Sequence, residues 1–499
     1  MGNNVHLNRF SFRGGFRYHF YEKKLNTVFG YVLLSVIGLL VTYGTVVINP
    51  KIGPVVIILF SVILMLVTIM QNPYFGFYFL IALSSVTIVL DRVINLPFTT
   101  NIFIDILTYY NFLTIFLKYE LKKNIDLRFW SNPITLGMFV LFGFYIVELF
   151  NPQMFSQVGW FSFFRKQTIY FLFFYMCYCL LDSRERIIFF IRFMITLTTL
   201  LALYACKQQW FGYAGFELRS IGTGAGLSLL FQAGMLRKFS VFSDPATSGI
   251  LFACICMISI VLYIRSTRKK EKWCYAIAAI INLLGYSYSG TRTATLMIIS
   301  GILLYGVATL NERRTILFLI YSTVVFTLLI VMPYQNVITN RIRSTFEGTN
   351  DASAAIRDYD RHEVQPYIQE HPLGGGVFTC GFEGPKYNQG HYLEFLQPDS
   401  GYMKTLAEQG AIGLALLLIF YFVVMRQGFH HFFRLKDPEL RDYYIGLLVM
   451  MFSLLVGQYS QMAITQNPIA LFFYATMVIF IKLADFDKGV QPVKQTIQN

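Results

Sequence analysis

VFGYVLLSVIGLLVTYGTVVI, residues 28–48, runs for twenty-one residues without one charged side chain. Wound as an α-helix, a stretch of this length reaches about 30 Å, the thickness of a bilayer's hydrocarbon core. The residues before it are polar and basic up to Lys24, so the run reads as a retained first helix and not as a cleavable signal. Comparable runs recur over residues 54–70, 73–90, 101–117, 133–150, 167–181, 187–210, 246–264, 273–290, 293–310, 315–332, 402–425, 443–462 and 467–484. Fourteen spans are expected in all. The segment 101–117, which holds Asp105 and Asn111, and the short segment 167–181 set a lower bound of twelve.

The composition agrees. Of 499 residues, 55% are hydrophobic and only 14% are charged, against roughly a quarter charged in soluble domains. An ordinary soluble globular protein is excluded, and the expected fold class is an all-α polytopic membrane protein. The 50 Phe and 32 Tyr residues suit lipid-facing surfaces and interfacial belts. The formal charge of +14 sits mostly in short loops between apolar runs, where orientation in the membrane explains it and no nucleic-acid partner is needed. With the first residues on the cytoplasmic side, short basic and non-basic loops alternate as that rule demands. The cluster from Arg265 to Lys272 and the stretch from Arg426 to Arg441 then read as topological anchors.

Four parts follow: N-terminal helices over 1–210, central helices with outer arginine motifs over 211–332, a large outer loop carrying short helices over 333–400, and C-terminal helices with a cytoplasmic tail over 401–499. No internal repeat is apparent, which argues against a transporter built from related halves. The cysteines number seven, six of them in or beside apolar segments. Cys177/Cys179 and Cys254/Cys256 are two residues apart, which puts each pair on different helix faces, poor geometry for a metal. They read as small apolar fillers.

Nucleotide-binding glycine motifs, HExxH and GxSxG are absent. What remains are ionisable residues near span ends on the outer side, where a charge is costly unless it meets a cavity or a partner. MLRKFSVFSDPATSG (235–249) contributes Arg237 and Lys238, with Asp244 and Pro245 reading as helix N-cap and first-turn proline. SGTRT (289–293) places Arg292 in a tight turn, either snorkelling to the interface or facing a substrate. RDYDRH (357–362) and EHPLGGGV (370–377) read as a surface helix ended by a glycine turn, with Arg357 as a further cation. GHYLE (390–394) and DSGYMKTLAEQGAIGL (399–414) offer His391 and Asp399, the latter also a candidate N-cap. Arginines with a candidate base around an outer cavity suit a substrate bearing phosphates, such as a lipid diphosphate.

The order of these motifs over about residues 235–425 resembles the O-antigen ligase and polymerase superfamily. The resemblance implies an inverting, metal-independent glycosyltransferase in the bacterial inner membrane, multi-pass, with both termini cytoplasmic and the active site periplasmic. Its substrates would be an undecaprenyl-diphosphate-linked glycan and a glycan or lipid A-core acceptor, with membrane lipids around it, no cofactor, and room for a chain-length regulator. Carried over by position, Arg237 and Arg292 would hold the diphosphate, with Lys238 and Arg357 beside them. The family's usual His-Asn pair aligns with Asp399 and Ser400, so Asp399 is the candidate base and His391 its rival. That departure leaves ligase and polymerase both open. A flippase for the same lipid-linked glycans is the alternative reading.

Overall fold

The computed structural model describes residues 27–50, 52–94, 100–119, 127–222, 230–232, 235–331, 343 and 352–487. Fifteen of its helices are labelled here: α1 (Val28–Tyr43), α2 (Ile52–Gln71), α3 (Pro73–Ile94), α4 (Asn101–Tyr119), α5 (Pro133–Val147), α6 (Gln157–Leu180), α7 (Arg184–Trp210), α8 (Pro245–Arg265), α9 (Lys269–Ser289), α10 (Arg292–Ala308), α11 (Arg313–Val331), α12 (Ala352–Glu370), α13 (Gly401–Arg434), α14 (Pro438–Gly457) and α15 (Ile469–Lys482). Each of the fourteen apolar runs coincides with one of them, and α12 is the surface helix of the loop. A two-residue antiparallel pair, Phe231–Gln232 with Met235–Leu236, is the only sheet among the described residues. The fold is an all-α polytopic membrane protein.

Ten helical segments among the described residues are long and apolar enough to cross a membrane. Helices α4, α6 and α9 carry more polar residues, and α10 is shorter. Two ends differ most from the sequence expectation. Helix α6 starts at Gln157, ten residues before the apolar run, because Ser156 caps it by accepting from Gly159 N (3.2 Å). Arg165 and Lys166 are therefore helical, where the sequence shows only a break in hydropathy. Helix α13 runs on to Arg434, past the apolar stretch ending at 425.

The chain forms two compact units. In the first, residues 1–80 with 110–121, the Tyr110 hydroxyl donates to the Leu66 carbonyl (2.9 Å) and the Lys118 amine to that of Gln71 (2.8 Å). Helices α1 and α2 leave most apolar side chains exposed, as lipid-facing helices do. In the second unit α8 is the most enclosed helix, packed against α7, α9, α10 and α14. In lipid such packing comes from close fit, not from expelling water. A Cβ at Gly301 of α10 would lie 2.7 Å from Ser453 Oγ of α14, so only glycine permits that approach.

From α5 onward the helices alternate in direction, which gathers the C-termini of α5, α7, α9 and α14 with the N-termini of α6, α8, α10 and α13 at one end. The opposite end is tied by ion pairs: Arg184 with Asp437 (3.2 Å) and Glu439 (2.5 Å), Arg192 with Glu271 (3.0 Å), and Arg265 with Glu312 (2.9 Å) and Asp442.

Candidate functional site

At the first end, residues 237–244 cross the tops of α7 and α9. Asp244 caps α8 as expected, accepting from Thr247 N (2.8 Å), with Pro245 in the first turn. Ser240 takes a positive φ of 55°, a left-handed conformation that costs a non-glycine residue about 1–2 kcal/mol. It is held there from three sides. Gln208 Nε2 donates to the Ser240 carbonyl (2.9 Å), Ser240 N donates to Gln208 Oε1 (2.8 Å), and Ser240 Oγ donates to the Leu201 carbonyl (2.7 Å). Gln208 Nε2 also donates to Glu217 (2.6 Å), which accepts from Tyr204 (3.0 Å) and Ala214 N (2.6 Å). The Arg92 guanidinium lies over the Phe239 ring (4.4 Å) and donates to the Phe242 carbonyl (2.8 Å).

So braced, Arg237 donates from Nε to the Ser289 carbonyl (2.8 Å) and from Nη2 to Thr291 Oγ1 (3.2 Å). The turn it grips is itself fixed. Gly290 has φ 60°, Ser289 Oγ donates to Thr291 Oγ1 (3.0 Å), and Thr291 Oγ1 donates to the Pro245 carbonyl (2.8 Å). Arg292 follows at once as the first residue of α10. Two arginines 55 positions apart are thus joined through one turn. Lys238 is buried with its amine over the Tyr213 ring (4.7 Å), and burial pushes its pKa down.

The glycine run after α12 has a structural partner. Helix α13 breaks at Gly410, which has φ 67° and ψ −170°, so the Ala407 and Glu408 carbonyls accept instead from Gly375 N (2.9 Å) and Gly376 N (2.8 Å). A Cβ on Gly410 would lie 1.9 Å from the Pro372 carbonyl oxygen, and one on Gly374 would lie 2.5 Å from Gly410 N. HPLGGG and AEQG are two halves of one backbone joint. Asn151 Nδ2 adds a bond to the Leu373 carbonyl (3.0 Å).

This joint closes one side of a cavity of about 570 Å³ between α5, α6, α13 and the residues around 381–399 and 458–474. Asp399 lines it. The cap of α13 is Ser400, which accepts from Met403 N (3.3 Å), and not Asp399. Lys404 lies between Glu383 (3.1 Å) and Glu408 (3.8 Å), and Cys380 Sγ donates to Glu408 (3.4 Å). Burial pushes the Glu383 carboxyl up, but Lys404 outweighs it and the pKa falls below the usual value. Asp360 of α12 is raised, first by burial and then by the charge of Asp399. Lys166 and Gln466 also line the cavity; Lys166 makes no ion pair or hydrogen bond among the described residues.

One loop links the arginines to this cavity. Ser460 Oγ donates to Thr293 Oγ1 (2.8 Å), next to Arg292, while the Gln458 carbonyl accepts from Gly401 N (3.0 Å) and Ser400 Oγ (3.4 Å), next to Asp399. From Ser460 an open apolar groove of about 850 Å³ runs between α13 and α14, past Tyr402, Phe422 and Phe452, to Arg426.

Of the residues singled out in the sequence, Arg237 and Arg292 share one turn, and this loop bonds the residue after Arg292 and the residue after Asp399. His391 does not line the cavity: its Nδ1 accepts from Leu393 N (3.0 Å), its Nε2 lies 3.4 Å from the Tyr367 hydroxyl, and its ring packs on Phe155 at 5.1 Å. Burial lowers its pKa. Arg357 lies on α12, with its side chain outside the described residues. Sequence reading passed over Lys166, Glu383, Lys404, Glu408 and Gln466, and the bracing pair Arg92 and Gln208. A lysine directly before an apolar run is the one signal that could have found Lys166.

No curated protein matches the chain. Residues 277–418 match the family model described as O-Antigen ligase, from within α9 through Arg292, the glycine joint and Asp399, and Arg237, which lies outside that segment, is bonded into it. That matched segment supports a relationship to the O-antigen ligase-related superfamily.

Proposed function

We propose that the protein transfers a glycan from a polyprenyl-diphosphate carrier to a sugar hydroxyl, with inversion at the anomeric carbon, on the periplasmic face of a bacterial inner membrane. The observation that carries this reading is the joining of Arg237 and Arg292 through one turn, one loop away from Asp399. The Arg237 guanidinium, held by the Ser289 carbonyl and the Thr291 hydroxyl, and that of Arg292 at the same turn match the oxygens of a diphosphate. They stabilise the charge that builds on it as the bond from the anomeric carbon to phosphate oxygen breaks and the electron pair leaves with the diphosphate. Asp399 takes the proton of the acceptor hydroxyl as its oxygen attacks that carbon from the opposite side. His391 is less suited, since its Nδ1 accepts from Leu393 N and its Nε2 lies against the Tyr367 hydroxyl of α12, outside the cavity.

The apolar groove beginning at Ser460 suits an isoprenoid tail, with the head group arriving beside Arg292. The basic stretches 265–272 and 426–441 lie at the end away from the site, which by the positive-inside rule is the cytoplasmic end. A flippase would need charged groups reachable from both sides, whereas at the far end Arg184, Arg192 and Arg265 are held in ion pairs between helices.

The test uses a strain lacking the gene, complemented with variants. Arg237→Ala and Arg292→Ala should each lower transfer by about 10²–10³-fold, and Asp399→Asn should abolish it, all with folded protein at normal abundance. Wild-type transfer in both arginine variants would remove the diphosphate clamp. In the uncomplemented strain, full-length carrier-linked chains outside mean a ligase and single repeat units outside mean a polymerase. Intermediates held on the cytoplasmic face would mean a flippase and overturn the proposal.

A further inference from the structure

We infer that the cavity lined by Asp399 is the subsite for the acceptor's sugar ring, and that the ring it takes is uncharged. The inference rests on the transferase reading and adds the chemistry of the acceptor.

At about 570 Å³ the cavity falls within the roughly 300–1,000 Å³ of pockets that hold small organic ligands. Its walls combine flat aromatic surface with hydrogen-bonding groups. Tyr170 and Tyr474 stack at 5.2 Å and 19°, and Phe378 and Tyr421 add further faces. The Lys166 amine is a donor with no hydrogen bond or ion pair among the described residues, and Gln466 Oε1 is a buried acceptor with no partner. Buried polar groups are normally satisfied, and those left over in a cavity mark what its occupant must supply. A sugar hydroxyl donates and accepts at once, so one ring satisfies both. The aromatic faces cover its C–H surfaces.

The charge inventory decides between neutral and acidic sugars. Lys166, Lys404, Glu383, Glu408 and Asp399 all line the cavity, two cations against three carboxylates. Lys404 is already held by Glu383 at 3.1 Å and Glu408 at 3.8 Å. A carboxylate on the bound ring would be a fourth anion in a partly enclosed site, where like charges repel more strongly than in bulk water. Lys166 therefore serves as a hydrogen-bond donor to a ring hydroxyl and not as the partner of a sugar acid.

The experiment is saturation-transfer NMR on the full chain in detergent, with methyl glycosides of glucose, galactose and mannose and of the matching uronic acids. At least one neutral glycoside should receive saturation and its uronic counterpart should not. The signal should fall at least fivefold in Lys166→Gln and in Gln466→Leu, each checked by its melting temperature; two variants guard against one failing to fold. No neutral glycoside binding, stronger binding of a uronic acid, or a signal unchanged in both variants would each overturn the inference. The probes carry no diphosphate, so binding and transfer fail separately: intermediates held on the cytoplasmic face of the deletion strain would sink the transferase reading, whereas glycosides that do not bind sink only this subsite.

Discussion

Gln208→Leu is the sharpest test of how Arg237 is held. Leucine matches the side chain in size but makes none of the amide's hydrogen bonds. Ser240 N–H and C=O, fully buried and bonded to Gln208 at 2.8 and 2.9 Å, would both lose their partner. Each such group costs about 1–3 kcal/mol, so the native position of residues 237–244 rises by about 2–6 kcal/mol before relaxation. Ser240 also sits in a left-handed conformation worth about 1–2 kcal/mol of strain, which persists only where the surroundings enforce it. Freed, the segment relaxes and carries Arg237, three residues earlier, off the Ser289 carbonyl. A displacement near 1 Å is enough for about 10²-fold in rate. The assay pairs glycan transfer in membranes with thermal unfolding of the purified protein. Gln208→Glu should do worse than leucine in unfolding, because it sets a second carboxylate where Glu217 accepts at 2.6 Å. Wild-type transfer and melting temperature in Gln208→Leu would refute the bracing argument.

Two further outcomes follow from the joint and the loop. Gly410→Ala should prevent folding of the site, since its Cβ would lie 1.9 Å from the Pro372 oxygen at a φ of 67°; soluble, folded, active protein would show that the break in α13 is not needed. His391 has a pKa lowered from 6.5 by burial, so the folded loop favours the neutral ring. The unfolded loop then binds the proton more readily, and His391's contribution is complete above the ordinary histidine range and declines as pH falls below it. Limited proteolysis of the loop should accelerate between pH 7.5 and pH 5 in the wild type and change less in His391→Asn; equal acceleration in both would move the effect to another group.

Helix positions were legible because the period and length of apolar runs are local properties. The same holds for the Asp244 cap and for the turn around Arg292. Lys166 was hidden because a lysine and an arginine interrupt hydropathy, and the helix runs through them once Ser156 caps it. The Gln208 bond to Ser240 joins residues 32 apart, and the Arg92 bond to Phe242 joins residues 150 apart; no spacing rule reaches either. His391 and Asp399 carry equal promise by residue type. They separate only when the fold turns one into its own loop's backbone, two residues on at Leu393, and the other into the cavity.

The two ends of the helices use charge differently, and that difference can be measured. At the far end Arg265, with its side chain 10% exposed, bonds both Glu312 at 2.9 Å and Asp442. Removing a buried partner costs about 3–5 kcal/mol, but the carboxylates keep 34% and 23% exposure, and water discounts the loss to about 1–3 kcal/mol. Arg265→Ala should therefore lower the yield of folded protein and its melting temperature while leaving transfer per folded molecule unchanged. Arg292→Ala should show the reverse: full yield and transfer lowered by about 10²–10³-fold. Both changes delete one arginine at one helix end, so overall charge shifts equally. If Arg265→Ala instead lost transfer per folded molecule as Arg292→Ala does, catalysis would depend on the field of the whole helix bundle, and the assignment of the diphosphate to one turn would fall.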